Sequence, residues 1–342
     1  MNAPPLDVVV SERTGALGPN EARITEQTGA TVRNAPLWSL DLIREHAASA
    51  DIILVGAVEP FAAEALEAIT RCKAIVRRGA GYDNIDVEAA TRLGIVVANV
   101  PDASVEEVSD HALALLLALE RRVCGLDGAV RAGLWAVDPT SILAFRRETR
   151  RLRELNLVVI GFGRIGQALA RKAQPLYAAV LTVDPVATPG EAAECGVRLV
   201  SLDDALAEGD HFSLHVPLLP ETRHLISRSV LARMREGAVL VNTARGELVD
   251  EEALVEALRS GRLAAAGLDV TAREPLPPDD PLLATNALIT AHSASWSPTA
   301  RAAIARRSVD EAIRIASGRL PSSIVNRDVL DRETLRLREV AL

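Results

Sequence analysis

Three ionisable residues in the last third of the chain each follow a short apolar run: Arg245, Glu274 and His292. An arginine fork binds a carboxylate through two hydrogen bonds and polarises a neighbouring carbonyl. Histidine gives and takes a proton near neutral pH, and a carboxylate on its far nitrogen raises its pKa. Hydride transfer to a 2-oxo acid needs these three groups together. Each residue alone has an ordinary structural interpretation, so the hypothesis depends on their joint occurrence.

A glycine-rich segment, GFGRIG, follows the apolar run 157–160 directly and opens a stretch of helical spacing. Gly161 permits a tight turn, Gly163 lets the backbone approach a pyrophosphate, and Gly166 lets the helix pack on the strand. Asp184 ends the next apolar run, about 20 residues on, where a carboxylate can bind ribose hydroxyls. The pattern predicts a dinucleotide site, and a glycine turn without a ligand is the alternative.

Apolar β-branched runs alternate with helical segments along most of the chain, which predicts an α/β fold with doubly wound parallel sheets. Ligands of such sheets bind beyond the carboxyl ends of the strands. The three ionisable residues are therefore expected at the edge that carries the glycine loop. The predicted strands are 7–10, 51–55, 74–76, 95–98, 157–160, 180–183, 211–216, 238–241, 265–269 and 288–290. The predicted helices are 40–48, 62–69, 87–93, 105–121 and 298–316.

A chain of 342 residues that is 49% hydrophobic is long enough for two domains. The pattern divides it into a discontinuous substrate-binding domain, 1–103 with 298–342, and a dinucleotide-binding domain, 104–297. The segment 135–153 is expected to be irregular. This segment and the apolar face of 105–119 together present more surface than one small domain needs to cover its own core, which favours a homodimer.

Charge and cysteine content exclude several other classes of protein. The net charge of −8 argues against nucleic acid or an anionic membrane as partner. Cys72, Cys124 and Cys195 are scattered, which favours free core thiols in a reducing compartment and no metal site. The N-terminus has no basic segment and no long apolar run, so a cytoplasmic location is expected. The histidines other than His292 are interpreted as structural.

Seven segments resemble the D-isomer-specific 2-hydroxyacid dehydrogenase family, over about residues 51–325. They are RRGAGYDNID (77–86), VANVPDASVEEVSDHALALLLAL (97–119), GFGRIG (161–166), SLHVPLLPETRHLI (213–226), VNTARGELVDEEAL (241–254), GLDVTAREP (267–275) and AHSAS (291–295). Within the family, the chain is most similar to the branch of the C-terminal-binding proteins. The resemblance implies a flavodoxin-like substrate domain, a Rossmann NAD domain and an active site in the cleft between them.

The resemblance also implies a role for each matching residue. Arg245 would bind the substrate, Glu274 would tune the donor, and His292 would be the acid/base. Asp184 would bind the adenosine ribose and Asp269 the nicotinamide carboxamide. The implied contacts with NAD are Gly161, Gly163, Arg164, Ile165, Gly166, Asp184, Val216, Thr222, Thr243, Ala244, Asp269 and His292. The implied contacts with a small 2-oxo or 2-hydroxy acid are Arg77, Gly79, Ala80, Gly81 and Arg245, the glycine turn acting through its N–H groups.

Some positions depart from related proteins, and three functions remain open. Val108 replaces a polar residue common in the family, and Ser295 stands where C-terminal-binding proteins carry tryptophan. Glu274 disfavours formate oxidation, because formate dehydrogenases have glutamine there. The chain ends soon after Asn326, which leaves no room for the regulatory domain of many phosphoglycerate dehydrogenases. The expected function is NAD-dependent interconversion of a small D-2-hydroxy acid and its 2-oxo acid. The alternatives are an NAD(H)-sensing interaction scaffold and a phosphite-type dehydrogenase.

Overall fold

The computed structural model describes residues 4–147 and 149–337, without the side chains of 141 and 145–147. The chain divides into two compact units: the described parts of Met1–Ala103 with Ser297–Leu342, and Ser104–Trp296. The domain limits predicted from the sequence lie within one residue of these. The assignment of substrate binding to the first unit stays a prediction.

Within the described residues the chain forms twelve strands and fourteen α-helices. The strands are β1 (Asp7–Ser11), β2 (Thr31–Ala35), β3 (Ile52–Val55), β4 (Ala74–Arg77), β5 (Val96–Ala98), β6 (Asn156–Ile160), β7 (Ala179–Val183), β8 (Arg198–Leu199), β9 (His211–Leu214), β10 (Ala238–Asn242), β11 (Leu263–Leu268) and β12 (Ala287–Ile289). The helices are α1 (Pro19–Thr28), α2 (Leu40–His46), α3 (Ala63–Ala68), α4 (Val87–Arg92), α5 (Val105–Glu120), α6 (Val123–Arg131), α7 (Leu134–Val137), α8 (Pro139–Arg147), α9 (Arg164–Ala173), α10 (Pro189–Glu194), α11 (Leu202–Glu208), α12 (Arg228–Arg233), α13 (Glu251–Arg259) and α14 (Pro298–Ala316).

The first unit is built on a five-stranded parallel sheet in the order β2-β1-β3-β4-β5. This is the flavodoxin-like order. Every residue of β3 is fully buried, as expected for a central strand with helices on both faces. Helix α14 packs on β3 and β4, and the Val325 amide then donates to the Val97 carbonyl at 2.8 Å. The end of the described chain thereby completes the core of this unit.

The second unit is built on a seven-stranded parallel sheet in the order β12-β11-β10-β9-β6-β7-β8. This is the Rossmann order with one additional strand, and the order reverses between β6 and β9. Because all seven strands are parallel, their carboxyl ends share one edge. The glycine loop and the residues after β9, β10, β11 and β12 all lie there. The predicted fold class, two parallel-sheet α/β domains, is confirmed.

The structure corrects three details predicted from the sequence. Strand β2 was not expected, because its residues are half-exposed and polar at the edge of the sheet. The segment 135–153 is largely helical in α7 and α8, and its Glu148 lies outside the described residues. Cys124 is exposed, so the prediction of a core thiol is wrong there, whereas Cys72 and Cys195 are buried. Among the described residues, no helix is both long enough and apolar enough to cross a bilayer.

Candidate active site

The three glycines of the loop after β6 meet different surroundings. Gly161 has φ +96°, and a Cβ there would lie 2.6 Å from the His215 carbonyl carbon. A Cβ on Gly166 would lie 2.0 Å from the Gly161 oxygen. A Cβ on Gly163 would meet nothing within 4 Å. The protein's own packing therefore requires the first and third glycines. The second leaves open space at the start of α9, where N–H groups of a helix N-terminus can bind phosphate.

Asp184 follows β7 and lies directly beside this loop. Its Oδ2 accepts the Phe162 amide at 2.7 Å, and its Oδ1 accepts the amides of Val186 at 2.8 Å and Ala187 at 3.0 Å. Burial raises the pKa of Asp184, but the three backbone bonds outweigh it and lower the pKa below its usual range. A negatively charged carboxylate is thus fixed next to the open space at Gly163, as binding of ribose hydroxyls requires.

His292 and Glu274 form the central pair of the site. The His292 Nδ1 lies 2.7 Å from the Glu274 Oε2, and the other carboxylate oxygen accepts the Thr271 amide at 3.1 Å. The bond to Glu274 raises the pKa of His292, and this outweighs the opposing effect of burial. Burial raises the pKa of Glu274, but the bond to His292 outweighs it and lowers that pKa. The pair therefore favours an imidazolium beside a carboxylate, and both side chains remain partly exposed to solvent.

Arg245 follows β10 and acts on the same histidine. Its charge lowers the pKa of His292, opposing Glu274. The Asn242 Nδ2 donates to the Arg245 carbonyl at 2.7 Å and fixes the turn. A Cβ on Gly246 would lie 1.9 Å from the Thr271 carbonyl carbon, so this glycine lets the turn touch the loop that carries the carboxylate. The structure therefore brings the three predicted catalytic residues together.

Asp269 holds the turn that carries His292. The backbone of His292 has φ +48°, a left-handed conformation that costs about 1–2 kcal/mol for a side-chain-bearing residue. The Asp269 carbonyl accepts the His292 amide at 2.8 Å. The Asp269 carboxylate, 2% exposed, accepts the amides of Ser293 at 2.8 Å and Ala294 at 2.9 Å. This role was missed from the sequence, where spacing gives no sign of it. The predicted contact with the nicotinamide carboxamide stays a prediction.

The predicted substrate turn, Arg77–Gly81, follows β4 in the first unit. Gly79 has φ +142°, and a Cβ there would lie 1.7 Å from the Arg77 Nη1. The arginine side chain therefore folds across its own turn, which only glycine permits. The Asn99 Nδ2 donates to the Ala80 carbonyl at 2.8 Å, and the Val100 amide donates to the Gly79 carbonyl at 2.9 Å. These bonds hold the turn in place, and its contact with substrate stays a prediction.

Comparison with known proteins decides the family. Residues 113–294 match the model of the D-isomer specific 2-hydroxyacid dehydrogenase, NAD binding domain. A glyoxylate reductase from Korarchaeum cryptofilum is 40% identical over 295 residues, which cover 85% of this chain and 87% of that protein. The chain belongs to the D-isomer-specific 2-hydroxyacid dehydrogenase family. It is an NAD-dependent oxidoreductase.

Two further relatives of this dehydrogenase differ in how much of their own length the chain covers. A D-3-phosphoglycerate dehydrogenase from Mycobacterium leprae is 39% identical over 280 residues, covering 82% of this chain but only 52% of that protein. The chain thus spans about half the length of that relative. The crystal structure of a glyoxylate reductase from Paecilomyes thermophila is 29% identical, with a TM-score of 0.84 over 94% of this chain and 99% of that one. The narrower likeness to C-terminal-binding proteins stays a prediction.

The remaining residues predicted to bind NAD lie along the same edge of the dehydrogenase's sheet. They are Arg164 and Ile165 at the start of α9, Val216 and Thr222 after β9, and Thr243 and Ala244 after β10. The buried Thr243 Oγ1 has no hydrogen-bond partner among the described residues, as expected of an atom that a bound molecule would satisfy. The Thr222 hydroxyl donates to the Pro217 carbonyl at 2.7 Å and so also braces its own loop. The donor set fits a dinucleotide.

A second buried network in this dehydrogenase lies away from the site. The His211 Nε2 is 2.9 Å from the Glu120 Oε2, and its Nδ1 is 2.8 Å from the Tyr177 hydroxyl. Burial raises the pKa of Glu120, but bonds from His211 and Arg150 outweigh it and bring that pKa to about 2. His211 begins β9, at the amino end of the strand, whereas the glycine loop is at the carboxyl edge. The network therefore stabilises the fold and has no part in the proposed chemistry.

Proposed function

We propose that this dehydrogenase interconverts a small D-2-hydroxy acid and its 2-oxo acid, with His292 as the acid/base. The observation that carries the proposal is the 2.7 Å contact between the His292 Nδ1 and Glu274. Because the carboxylate takes Nδ1, the ring presents Nε2 to the substrate oxygen. Glu274 favours the imidazolium, and this is the form that donates a proton during reduction of the 2-oxo acid.

Arg245 binds the substrate carboxylate and polarises the neighbouring carbonyl, because its planar fork matches both oxygens. The nicotinamide, when bound, supplies the hydride for reduction or takes it up in oxidation. His292 gives its proton to the carbonyl oxygen in the first direction and removes the hydroxyl proton in the second. Asp269 holds the turn of the acid/base in place, and it would also bind the carboxamide.

The substrate we propose first is a short 2-oxo acid such as glyoxylate. The support is the 40% identity to a glyoxylate reductase of which the chain spans 87%. The phosphoglycerate dehydrogenases support a phosphorylated substrate less, because the chain spans only about half of their length. Hydroxypyruvate, pyruvate-like acids and longer 2-oxo acids are the other candidates, and phosphite is the candidate outside the class of 2-oxo acids.

An NADH-oxidation assay over these 2-oxo acids tests the proposal, with NAD reduction by phosphite measured in parallel. We expect steady turnover with at least one short 2-oxo acid and a D-configured product from prochiral substrates. Turnover with phosphite alone would show that phosphite, and not a 2-hydroxy or 2-oxo acid, is the substrate. Tight NADH binding without turnover on any of these compounds would instead support the NAD(H)-sensing scaffold.

We also propose that the enzyme works as a homodimer in the cytoplasm. Thirteen large apolar side chains are exposed among the described residues, and six of them lie in the helical segment after α5. We call these six the arm surface: Val123, Val130, Leu134, Trp135, Val137 and Leu143. A concentration of exposed apolar side chains is typical of a protein interface. The three cysteines are free thiols, as a reducing compartment favours.

A further inference from the structure

Helix α5 brings a histidine to the carboxyl ends of β11 and β12. A Cβ on Gly267 of β11 would lie 3.2 Å from the Leu115 Cβ and 3.1 Å from the Leu119 Cδ1, so the glycine lets the helix pack closely on the strand. One turn before Leu115, the His111 Nε2 lies 2.9 Å from the Thr290 Oγ1. From the sequence alone, this histidine was interpreted as structural.

The number of protons on the Thr290 hydroxyl decides which group is the donor in this contact. The Thr290 hydroxyl donates to the Asp269 Oδ1 at 2.5 Å. A threonine hydroxyl has one proton, and here the proton is used by that bond. The His111 ring therefore has to donate its Nε2 proton to the Thr290 oxygen. The result is a directed chain of donors from His111 through Thr290 to a carboxylate that is 2% exposed.

The carboxylate at the end of this chain holds the turn of the proposed acid/base. Asp269 accepts the amides of Ser293 and Ala294, and its carbonyl accepts the amide of His292, whose φ is +48°. A left-handed conformation persists only where surrounding bonds enforce it. Rotation of the carboxylate would release the two amides that follow His292.

We propose that His111 is a positioning residue for the reaction: through Thr290 it fixes the Asp269 carboxylate and thereby the turn that presents His292. The inference rests on the proposed function of His292 as the acid/base. Through Thr290, His111 is hydrogen-bonded to the Asp269 carboxylate. Its Nε2 lies 3.6 Å from the Asp269 Oδ1, too far for a hydrogen bond, so Thr290 is the connection.

Loss of the chain has a consequence that can be measured without turnover. The charged groups that act on His292 are Glu274, Arg245 and Asp269, and the bond to Glu274 is the strongest of these effects. When the turn loosens, this bond weakens and the pKa of His292 falls toward its ordinary value. A role for His111 in stability alone would not change that pKa.

The experiment compares His111→Ala, His111→Gln, Thr290→Val and the double variant His111→Ala/Thr290→Val with the wild-type enzyme. Glutamine keeps an N–H donor of similar reach. We expect His111→Ala and Thr290→Val each to lower kcat on the order of tenfold, with a smaller change in KM, because a loosened proton donor is misaligned. His111→Gln should keep most of the activity. The double variant should lose no more than the worse single one, since both break the same chain.

NMR titration of His292 in the same variants, without substrate, gives the second readout. We expect its pKa to fall in His111→Ala and Thr290→Val, and to stay in His111→Gln. Asp110→Asn is the matched control, because Asp110 precedes His111 on α5 and its ion pair with Lys172 of α9 includes no member of the chain of donors, so neither readout should change. Losses that add in the double variant, or a lower melting temperature with wild-type kcat and pKa, would overturn the proposal. Separately, His292→Ala with normal turnover would overturn the proposed function, while the titrations still test the chain of donors.

Discussion

At the scale of single residues, the bond between His292 and Glu274 sets the protonation state of the proposed proton donor. The bond raises the pKa of His292, so the ring stays protonated to a higher pH than an ordinary histidine. Reduction of the 2-oxo acid needs that proton, and its rate should fall as the pH rises through the raised pKa. Oxidation of the hydroxy acid needs the neutral ring, and its rate should rise over the same interval.

Glu274→Gln is predicted to move these pH limits. Glutamine keeps the size of the side chain but removes the charge, so the pKa of His292 falls and the alkaline limb of the reduction profile moves to lower pH. The measurement is kcat against pH for the 2-oxo acid. Glu252→Gln, an exposed acid on α13, is the control. A profile of Glu274→Gln that superimposes on wild type would remove Glu274 from the tuning role.

Arg245→Lys is predicted to damage 2-oxo acid reduction although it keeps the positive charge. A lysine has no planar fork, so the carboxylate and the carbonyl are no longer held together. We expect kcat/KM to fall by about thirtyfold or more, which corresponds to about 2 kcal/mol of transition-state stabilisation. Arg228→Lys, at an exposed ion pair with Glu256, should leave kcat/KM unchanged. Equal kcat/KM values for wild type and Arg245→Lys would contradict the assignment.

The residues that do chemistry could be predicted from the sequence, whereas the residues that hold them in place could not. Arg245, Glu274 and His292 stand out because each residue type has a specific chemical use and follows a strand. Asp269 was interpreted only as a cofactor contact, because a carboxylate that accepts backbone amides leaves no mark in the sequence. His111 was interpreted as structural, since its partner Thr290 lies 179 positions away.

Among the elements, the loop after β7 is predicted to discriminate between the two nicotinamide cofactors. Asp184 is held as a carboxylate beside the glycine loop, and Val186, 85% exposed, follows it without a basic neighbour from Pro185 to Thr188. A 2′-phosphate would face this carboxylate. Two unit charges about 4 Å apart repel by about 4 kcal/mol at an effective dielectric constant of 20.

We therefore predict that kcat/KM is at least about a hundredfold higher with NADH than with NADPH, after screening has reduced this repulsion. Asp184→Ala should narrow the difference, because the repulsion is removed. Asp203→Ala, an exposed acid on α11, is the control and should keep the wild-type ratio. Equal use of both cofactors by the wild-type enzyme would show that another part of the chain contacts the ribose.

The elements that the sequence could not predict have weak local signals for physical reasons. The edge strand β2, TVRNA, has half-exposed residues and no apolar run, and pairing with β1 alone defines it. Helices α7 and α8 lie in a segment that is rich in arginine and interrupted by Gly133 and Pro139. In contrast, central strands such as β3 could be predicted, because burial on both faces requires a continuous apolar run in the sequence.

At the scale of the whole molecule, the arm surface predicts a homodimer. Light scattering at micromolar concentration should give twice the chain mass of 36.4 kDa. Val137→Asp should shift the enzyme toward monomer, because this side chain is 79% exposed within the arm surface and a charge there opposes apolar burial. Val58→Asp, at an exposed valine in the first unit, is the control. A monomeric wild-type enzyme would rule out the homodimer.

The division into two parallel-sheet units could be predicted because it depends on repeated patterns rather than on single contacts. The alternation of strands and helices weakens in the segment 135–153 and restarts at the strand before GFGRIG. The identity of the substrate could not be predicted. It depends on how the residues around Arg245 and His292 fill the space for the group that differs among 2-oxo acids, which is attached to the carbonyl carbon. The similarity to a glyoxylate reductase supports a short acid, and this stays a proposal.

Transfer of the proton by His292 is tested by comparing His292→Ala with the wild-type enzyme. General acid–base catalysis contributes about 10²–10⁴ in rate, so kcat for the best 2-oxo acid should fall by at least about a hundredfold. The dissociation constant for NADH, measured by fluorescence titration, should stay within about threefold, because the variant leaves the glycine loop and Asp184 intact. His46→Ala, at a histidine of the first unit, should match wild type in both. If His292→Ala keeps more than about a tenth of the wild-type kcat, His292 is not the acid/base.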